Sequence, residues 1–130
     1  MKEKLFAYGT LKDPDIQTAL FGRRLNGYAA HVKNWGLYMA KEGYLFVKPN
    51  AGGRVEGLIL ELESEDMKKA DAWEDLTVYS REVCCAIAKN KAESVYIYTR
   101  RSAKGSAYHG DSLHGRTISE ILRDIRHLVQ

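Results

Sequence analysis

The hydrophobic pattern begins with a short apolar run from Leu5 to Tyr8, which predicts a buried β-strand. Gly9 ends this run and allows the backbone to turn sharply. A helix over 14–20 is predicted next, because Asp13 suits the N-cap, a proline occupies the first helical position and Gly22 provides a stop. A strand that enters a glycine turn before a helix leaves backbone N–H groups unpaired, and such groups suit an anionic ligand such as a carboxylate.

A run of short strands is predicted in the middle of the chain, at 25–32, 35–39, 44–47 and 54–62. The segment Pro49–Gly53 combines a proline, an asparagine and two glycines and predicts a mobile loop. In the last of these strands, the run 58–60 is apolar at consecutive positions. Because neighbouring side chains point to opposite faces, the middle of this strand is expected to be covered on both sides.

The remaining elements are a second helix, a strand pair and a final helix. The helix is predicted from Ser64, a suitable cap, to Glu74, and the antiparallel strands are predicted at 79–88 and 94–99 around a loop at 89–92. The segment 101–115 has little periodicity and is predicted as a loop. A capping box at 117–120 then predicts a C-terminal helix with apolar residues at helical spacing, which should dock on the domain.

This order of elements predicts an α+β fold with mainly antiparallel pairing. The 130 residues suit a single domain, with a core over 4–99 and a C-terminal loop and helix over 100–130. Many short twisted strands around one core are compatible with a β-barrel, although the pattern alone leaves closure open. The oligomeric state is also left open.

Composition narrows the class of partner. The net charge of +3 and scattered basic residues do not indicate a nucleic-acid partner, and no apolar run approaches the roughly 20 residues of a membrane span. No signal-peptide pattern precedes the first strand, so a cytoplasmic protein is expected. Cys84 and Cys85 are adjacent in a predicted strand and point to opposite faces, and the histidines lack zinc-type spacing. We therefore predict no metal site and no cofactor.

The second helix holds two carboxylates on its apolar side. With Met67 at the centre of the buried face, Ala70, Asp71 and Glu74 lie three, four and seven residues further on. Burial, a second carboxylate and the negative end of the helix each raise a carboxyl pKa. A glutamate adjusted in this way can accept and return a proton near neutral pH. Two other interpretations stay open: a frayed, hydrated helix end, or acids that cap a loop or pair with Arg81.

Three motifs together resemble the gamma-glutamyl cyclotransferase-like family: Tyr8-Gly9-Thr10-Leu11, the Asp-x-x-Glu spacing of 71–74, and Tyr-x-Arg at 79–81. The Val-Glu-Gly at 55–57 is similar to the family's Val-x-Gly. The likeness spans roughly residues 4 to 99. The chain departs from the family pattern at Asp75, where a glycine is usual, and its tail from residue 101 onward matches no family motif.

The resemblance implies a small mixed α/β fold built on a β-barrel, flanked by helices. It implies cleavage of a gamma-glutamyl amide by the substrate's own α-amine, which releases 5-oxoproline and a free amine. Glu74 would be the proton acceptor and donor, and no nucleophilic serine or cysteine would be needed. Residues placed at the glutamyl portion or near the pocket by the resemblance are Tyr8, Gly9, Thr10, Leu11, Tyr79 and Tyr98.

Two classes of function are therefore compatible with the sequence. The first is a cyclotransferase that acts on a small gamma-glutamyl compound; the second is a module that binds a carboxylate or amide metabolite without turnover. The carboxylate of Glu74 favours the enzyme, since a binder of anions gains nothing from a negative charge in its pocket. A third interpretation, an interaction protein that assembles through its C-terminal helix, also stays open. The leaving amine is expected to be selected by variable loops such as 40–53 and 101–116.

Overall fold

The computed structural model describes residues 2–110 and 118–129. It contains three helices, α1 (Pro14–Phe21), α2 (Ser64–Glu74) and α3 (Ile118–Val129). Its six strands are β1 (Glu3–Ala7), β2 (Gly27–Ala40), β3 (Leu45–Leu62), β4 (Ser80–Ala88), β5 (Lys91–Thr99) and β6 (Gly105–Ala107).

Five of the strands close into a barrel. Around the barrel the order is β3-β1-β5-β4-β2, and β2 pairs again with β3 to complete the circle. The pairing of β1 with β5 is parallel and the other pairings are antiparallel, so the sheet is mixed. The short β6 pairs with the end of β2 at residues 38–40, whereas β2 pairs with β4 at His31. The predicted fold, a small, mostly antiparallel barrel flanked by helices, is confirmed.

Two apolar layers arise from the alternation of side chains along the strands. The inner cluster fills the barrel and includes Phe6, Val47, Ile59 and Ile97. The outer cluster lies between the barrel and the helices and includes Leu5, Ile16, Leu60, Met67, Ile121 and Ile125. Ile59 and Leu60 are both essentially fully buried and belong to different clusters, which confirms that the middle of this strand is covered on both faces.

The prediction of a loop at Pro49–Gly53 is wrong, because this segment lies inside β3. The two predicted strands at 25–32 and 35–39 are likewise one strand, β2, with a bulge between Lys33 and Trp35. At the bulge Asn34 has a positive φ of 66°, and its side-chain oxygen accepts a hydrogen bond from the Gly52 N–H at 3.0 Å. The asparagine and glycines thus produce an irregularity within one long hairpin.

The ends of α2 differ from the sequence prediction in one respect. The N-cap is Glu63, one residue before the predicted Ser64, and Glu63 forms a capping box with Asp66. Arg23 also binds the Asp66 carboxylate through both terminal nitrogens, at 2.8 and 2.5 Å. The helix ends at Glu74 as predicted. Asp75 follows with φ 66°, the left-handed conformation that favours glycine.

After β4, the antiparallel partner strand is present as predicted, but the connection is shorter than the predicted loop at 89–92 because β5 begins at Lys91. A two-residue turn, Lys89-Asn90, has both φ angles positive and joins β4 to β5. The segment 101–115, predicted as a loop, contains the three-residue strand β6. Residues 111–115 of this segment lie outside the described residues, and so does residue 117, the first of the predicted capping box at 117–120. In α3, Ile121 and Ile125 are buried against the domain, so the helix docks as expected. Within the described chain, no helix is long and apolar enough to cross a membrane.

Candidate active site

The turn after β1 presents unpaired backbone donors. Tyr8 follows the strand, Gly9 breaks it, and Thr10–Lys12 form one 3-10 turn. The carbonyls of Gly9 and Thr10 accept hydrogen bonds from the N–H groups of Lys12 and Asp13, three residues further along the chain. Within the described residues, the N–H groups of Gly9, Thr10 and Leu11 donate no hydrogen bond, as is usual for the first residues of a helical turn. The turn can therefore hold a carboxylate or an oxyanion.

Glu74 is the last residue of α2 and lies across a cavity from this turn. The side chain is half-buried by surface area but is enclosed by protein atoms, and burial raises the pKa of its carboxyl group to about 7. No side chain in the described part of the chain donates a hydrogen bond to it. A carboxyl group with this pKa changes its charge within the physiological range and can act as either base or acid.

Asp71 occupies the same helix face but has a different environment. Its carboxylate accepts hydrogen bonds from Arg81 at 2.9 Å and from the Tyr98 hydroxyl at 2.7 Å. Burial, rather than the second carboxylate that the sequence predicted as a contributor, accounts for the raised pKa of Glu74. The pairing of an acid with Arg81, which the sequence left open, therefore applies to Asp71 and not to Glu74.

Hydrogen bonds from aromatic side chains fix the cavity wall. The Tyr8 hydroxyl donates to the backbone carbonyl of Tyr98 at 2.8 Å, and the Tyr79 hydroxyl donates to the Leu45 carbonyl at 2.5 Å. The Trp73 indole N–H donates to the Thr10 hydroxyl at 3.2 Å and so joins α2 to the turn after β1.

These phenols are held in the protonated form. Burial is the main cause that raises the pKa of Tyr8, Tyr79 and Tyr98, and the negative charge of Glu74 raises each pKa further. At neutral pH the three side chains are therefore hydrogen-bond donors rather than anions.

The cavity between α2 and the barrel, here called the helix-side cavity, has a volume of about 400 Å³. This volume is within the range of small-molecule sites, about 300–1,000 Å³. All of the residues predicted for the site line this one cavity: Tyr8, Gly9, Thr10, Leu11, Glu74, Tyr79 and Tyr98. The structure thus brings them together, and their roles in binding or catalysis stay predictions.

Other lining residues were missed by the sequence reasoning. Trp73 is adjacent to Glu74, and the hydrogen bond from its indole N–H to Thr10 could not be predicted from the spacing of residues in the sequence. Tyr44, which is 52% exposed, and Val78 lie at the mouth of the cavity. Asp124 reaches the cavity from α3, in the tail that matched no motif. The helical spacing of apolar residues in α3 was visible in the sequence. The direction in which its polar face points depends on how the helix docks on the domain.

No group of histidine, cysteine, aspartate or glutamate side chains among the described residues could hold a metal ion. Cys84 is half-buried against the inner cluster and Cys85 is exposed, in keeping with the opposite faces expected for strand neighbours. Neither cysteine lines the helix-side cavity.

The closed mixed barrel, the flanking helices and the cavity beside the first turn agree with the fold that the sequence motifs predicted. The family model "Gamma-glutamyl cyclotransferase, AIG2-like" matches residues 5–115, and the chain belongs to this family. The match extends beyond the span of 4–99 over which motifs were recognised. No curated protein matches the chain.

Solved structures confirm the fold. A structure described as gamma-glutamyl cyclotransferase has a TM-score of 0.71 at 12% identity, with 98% of this chain and 99% of that chain covered. A protein from Arabidopsis thaliana has a TM-score of 0.71 at 19% identity, covering 97% and 83%. An AIG2-like protein from Mus musculus has a TM-score of 0.64 at 20% identity, covering 88% and 92%. At these identities the likeness concerns the fold alone.

Proposed function

We propose that this protein cleaves a gamma-glutamyl amide by attack of the substrate's α-amine on its own γ-carbonyl, with Glu74 as the proton acceptor and donor. Family membership supports a cyclotransferase-like function. The observation that carries the finer proposal is the carboxyl group of Glu74, with a pKa near 7, in the same cavity as the Tyr8–Leu11 turn.

The proposed reaction moves one proton in two stages. The α-amine nitrogen forms a bond to the γ-carbon, and the ionised Glu74 carboxylate takes the proton that this nitrogen must lose. The amide C–N bond then breaks, and protonated Glu74 returns the proton to the departing nitrogen. The products are 5-oxoproline and a free amine, and the carboxylate is regenerated. A pKa close to the working pH suits both stages, because neither protonation state is costly to reach.

The turn after β1 supplies the complementary donors. Its unpaired N–H groups are suited to hold the substrate's α-carboxylate or the negative oxygen that develops on the γ-carbon. The attack is intramolecular, and binding in the cavity would hold the amine and the carbonyl in a fixed geometry, which supplies much of the acceleration without a protein nucleophile. In this proposal Tyr8, Tyr79 and Tyr98 shape the wall around the glutamyl portion.

The test is the release of 5-oxoproline from a panel of gamma-glutamyl amino acids, amines and peptides. We expect wild type to act on at least one compound and Glu74→Gln to be slower by about 100-fold or more, the contribution typical of general acid–base catalysis. Glu65→Gln is the matched control, because Glu65 is exposed on the first turn of the same helix. It should retain wild-type activity.

Two results would contradict the proposal. Equal activity of wild type and Glu74→Gln would remove Glu74 from the reaction. A wild-type protein that is stabilised by gamma-glutamyl compounds but forms no 5-oxoproline from any of them would instead be a binding module.

A further inference from the structure

The helix-side cavity has a buried inner wall and an exposed mouth. Buried side chains such as Phe6 form the inner wall, whereas Tyr44, Asp75 and Val78 line the same cavity and are exposed. In the proposed reaction the departing nitrogen receives its proton from Glu74, so the departing part of the substrate begins beside this carboxyl group. Since the inner wall is closed by packed side chains, the departing part extends towards the mouth, where Asp75 is the next residue of the chain.

Asp75 is held in a fixed conformation at the mouth. Its carboxylate accepts hydrogen bonds from the Thr77 N–H at 3.0 Å and from the Thr77 hydroxyl at 2.6 Å. Its backbone carbonyl accepts hydrogen bonds from the N–H groups of Val78 and Tyr79, both at 2.9 Å. Its φ of 66° would be adopted more easily by glycine, which is the usual residue at this point of the family pattern. An acid in such a conformation points to a role for its charge.

No cation balances the charge of Asp75. Hydrogen bonds from the neutral Thr77 lower the pKa of the Asp75 carboxyl group, so it is ionised at neutral pH, and it forms no ion pair within the described residues. The described residues that line the cavity include no lysine, arginine or histidine. Two arginines near the cavity are each paired with an acid: Arg81 with Asp71, and Arg100 with Glu42. The mouth therefore attracts a cation and repels an anion.

Apolar surface lies beside this charge. The side chains of Tyr44 and Val78 are 52% and 46% exposed and line the mouth of the cavity. They can cover the hydrocarbon part of a ligand that leaves the cavity, because this contact removes apolar surface of both molecules from water. The mouth thus combines a place for an apolar stem with a carboxylate for a positive end.

We propose that Asp75 is a specificity residue that selects the departing part of the substrate by charge: it favours an apolar stem that ends in a cation and disfavours one that ends in a carboxylate. This inference rests on the proposed function and names a substrate class for it, the gamma-glutamyl derivatives of diamines. The charge that makes the selection belongs to Asp75 of this chain and is absent where a glycine occupies the position.

The experiment uses three gamma-glutamyl compounds with the same stem of five methylene groups. Their departing parts are 1,5-diaminopentane, hexylamine and 6-aminohexanoate, which end in a cation, a methyl group and a carboxylate. The measured quantity is kcat/KM for 5-oxoproline release. We expect wild type to prefer the diamine compound to the carboxylate compound by about tenfold at low ionic strength, with hexylamine between them, since attraction and repulsion at an exposed site each contribute a few-fold.

Asp75→Asn tests the charge without changing the shape. Asparagine tolerates a positive φ and its side-chain oxygen can accept the same hydrogen bonds from Thr77. The variant should lower the ratio between the diamine and carboxylate compounds by about threefold or more. The wild-type ratio should also approach one when ionic strength is raised from about 0.01 M to about 1 M, because the screening length falls from about 30 Å to about 3 Å.

Glu65→Gln is the matched control, because it removes one exposed negative charge about 15 Å away, at the other end of α2 and outside the cavity. It should keep the wild-type ratio. If wild type acts on gamma-glutamyl compounds but does not prefer the diamine compound, or if Asp75→Asn leaves the ratio unchanged, this inference is wrong while the proposed function stands. If no compound of the wider panel yields 5-oxoproline, both are wrong.

Discussion

Replacement of Glu74 by glutamine should change how stability depends on pH. The pKa of this carboxyl is about 7 in the folded protein and about 4.5 when it is unfolded. Between these values the folded state holds the proton more tightly, so the free energy of unfolding falls as pH rises towards 7. Each tenfold difference in proton affinity is worth about 1.4 kcal/mol. Over this pH range the free energy of unfolding of wild type therefore falls by up to about 3 kcal/mol, a loss that the neutral glutamine variant does not have.

The assay is urea unfolding of wild type, Glu74→Gln and Glu65→Gln at pH 5, 6, 7 and 8. The stability of Glu74→Gln relative to wild type should increase steadily with pH and level off above pH 8. Partial hydration of the cavity would lower the size of the change but not its sign. Glu65→Gln should stay at a constant offset from wild type. Parallel curves for wild type and Glu74→Gln across this range would refute the reasoning, since Glu74 would then be hydrated in the folded state.

Two further predictions concern the supports of the site. Gly57→Ala should lower the free energy of unfolding, measured in urea, by about 1–3 kcal/mol, because a Cβ at this position would lie 2.4 Å from the Ala7 carbonyl oxygen. Unchanged stability would mean that β1 is not packed this closely against β3. Asp71→Asn should weaken the contacts with Arg81 and Tyr98 that hold α2 against the barrel. The rate of 5-oxoproline release should fall by about tenfold or more. A wild-type rate in this variant would show that these contacts do not position the site.

The sequence was informative where a local rule determines the structure. Asp13 accepts bonds from the N–H groups of Asp15 and Ile16, and Gly22 adopts the left-handed conformation, so α1 has the predicted ends. The spacing of α2 placed Asp71 and Glu74 on one face. Motifs, rather than spacing, identified the turn after β1 as part of the same site.

The sequence was less informative where distant contacts decide the structure. The glycines of 49–53 favour a loop locally, and residues 50–53 have no partner residue in β2. Pairing of Pro49 and Arg54 with β2 on either side, and the hydrogen bond from Gly52 to Asn34, keep the segment within the strand. The different environments of Asp71 and Glu74 depend on Arg81 and Tyr98, which lie elsewhere in the chain. A second cavity, of about 490 Å³, is lined mainly by residues of β2, β3 and the segment after β6, and no short sequence pattern connects these segments.

The pH dependence of kcat/KM for 5-oxoproline release tests the central claim most directly. If ionised Glu74 accepts the proton of the attacking amine, the acid side of the profile should have its midpoint near pH 7, the pKa of Glu74 in the free protein. A midpoint near pH 4.5, or activity that does not change between pH 5 and 8, would contradict the account.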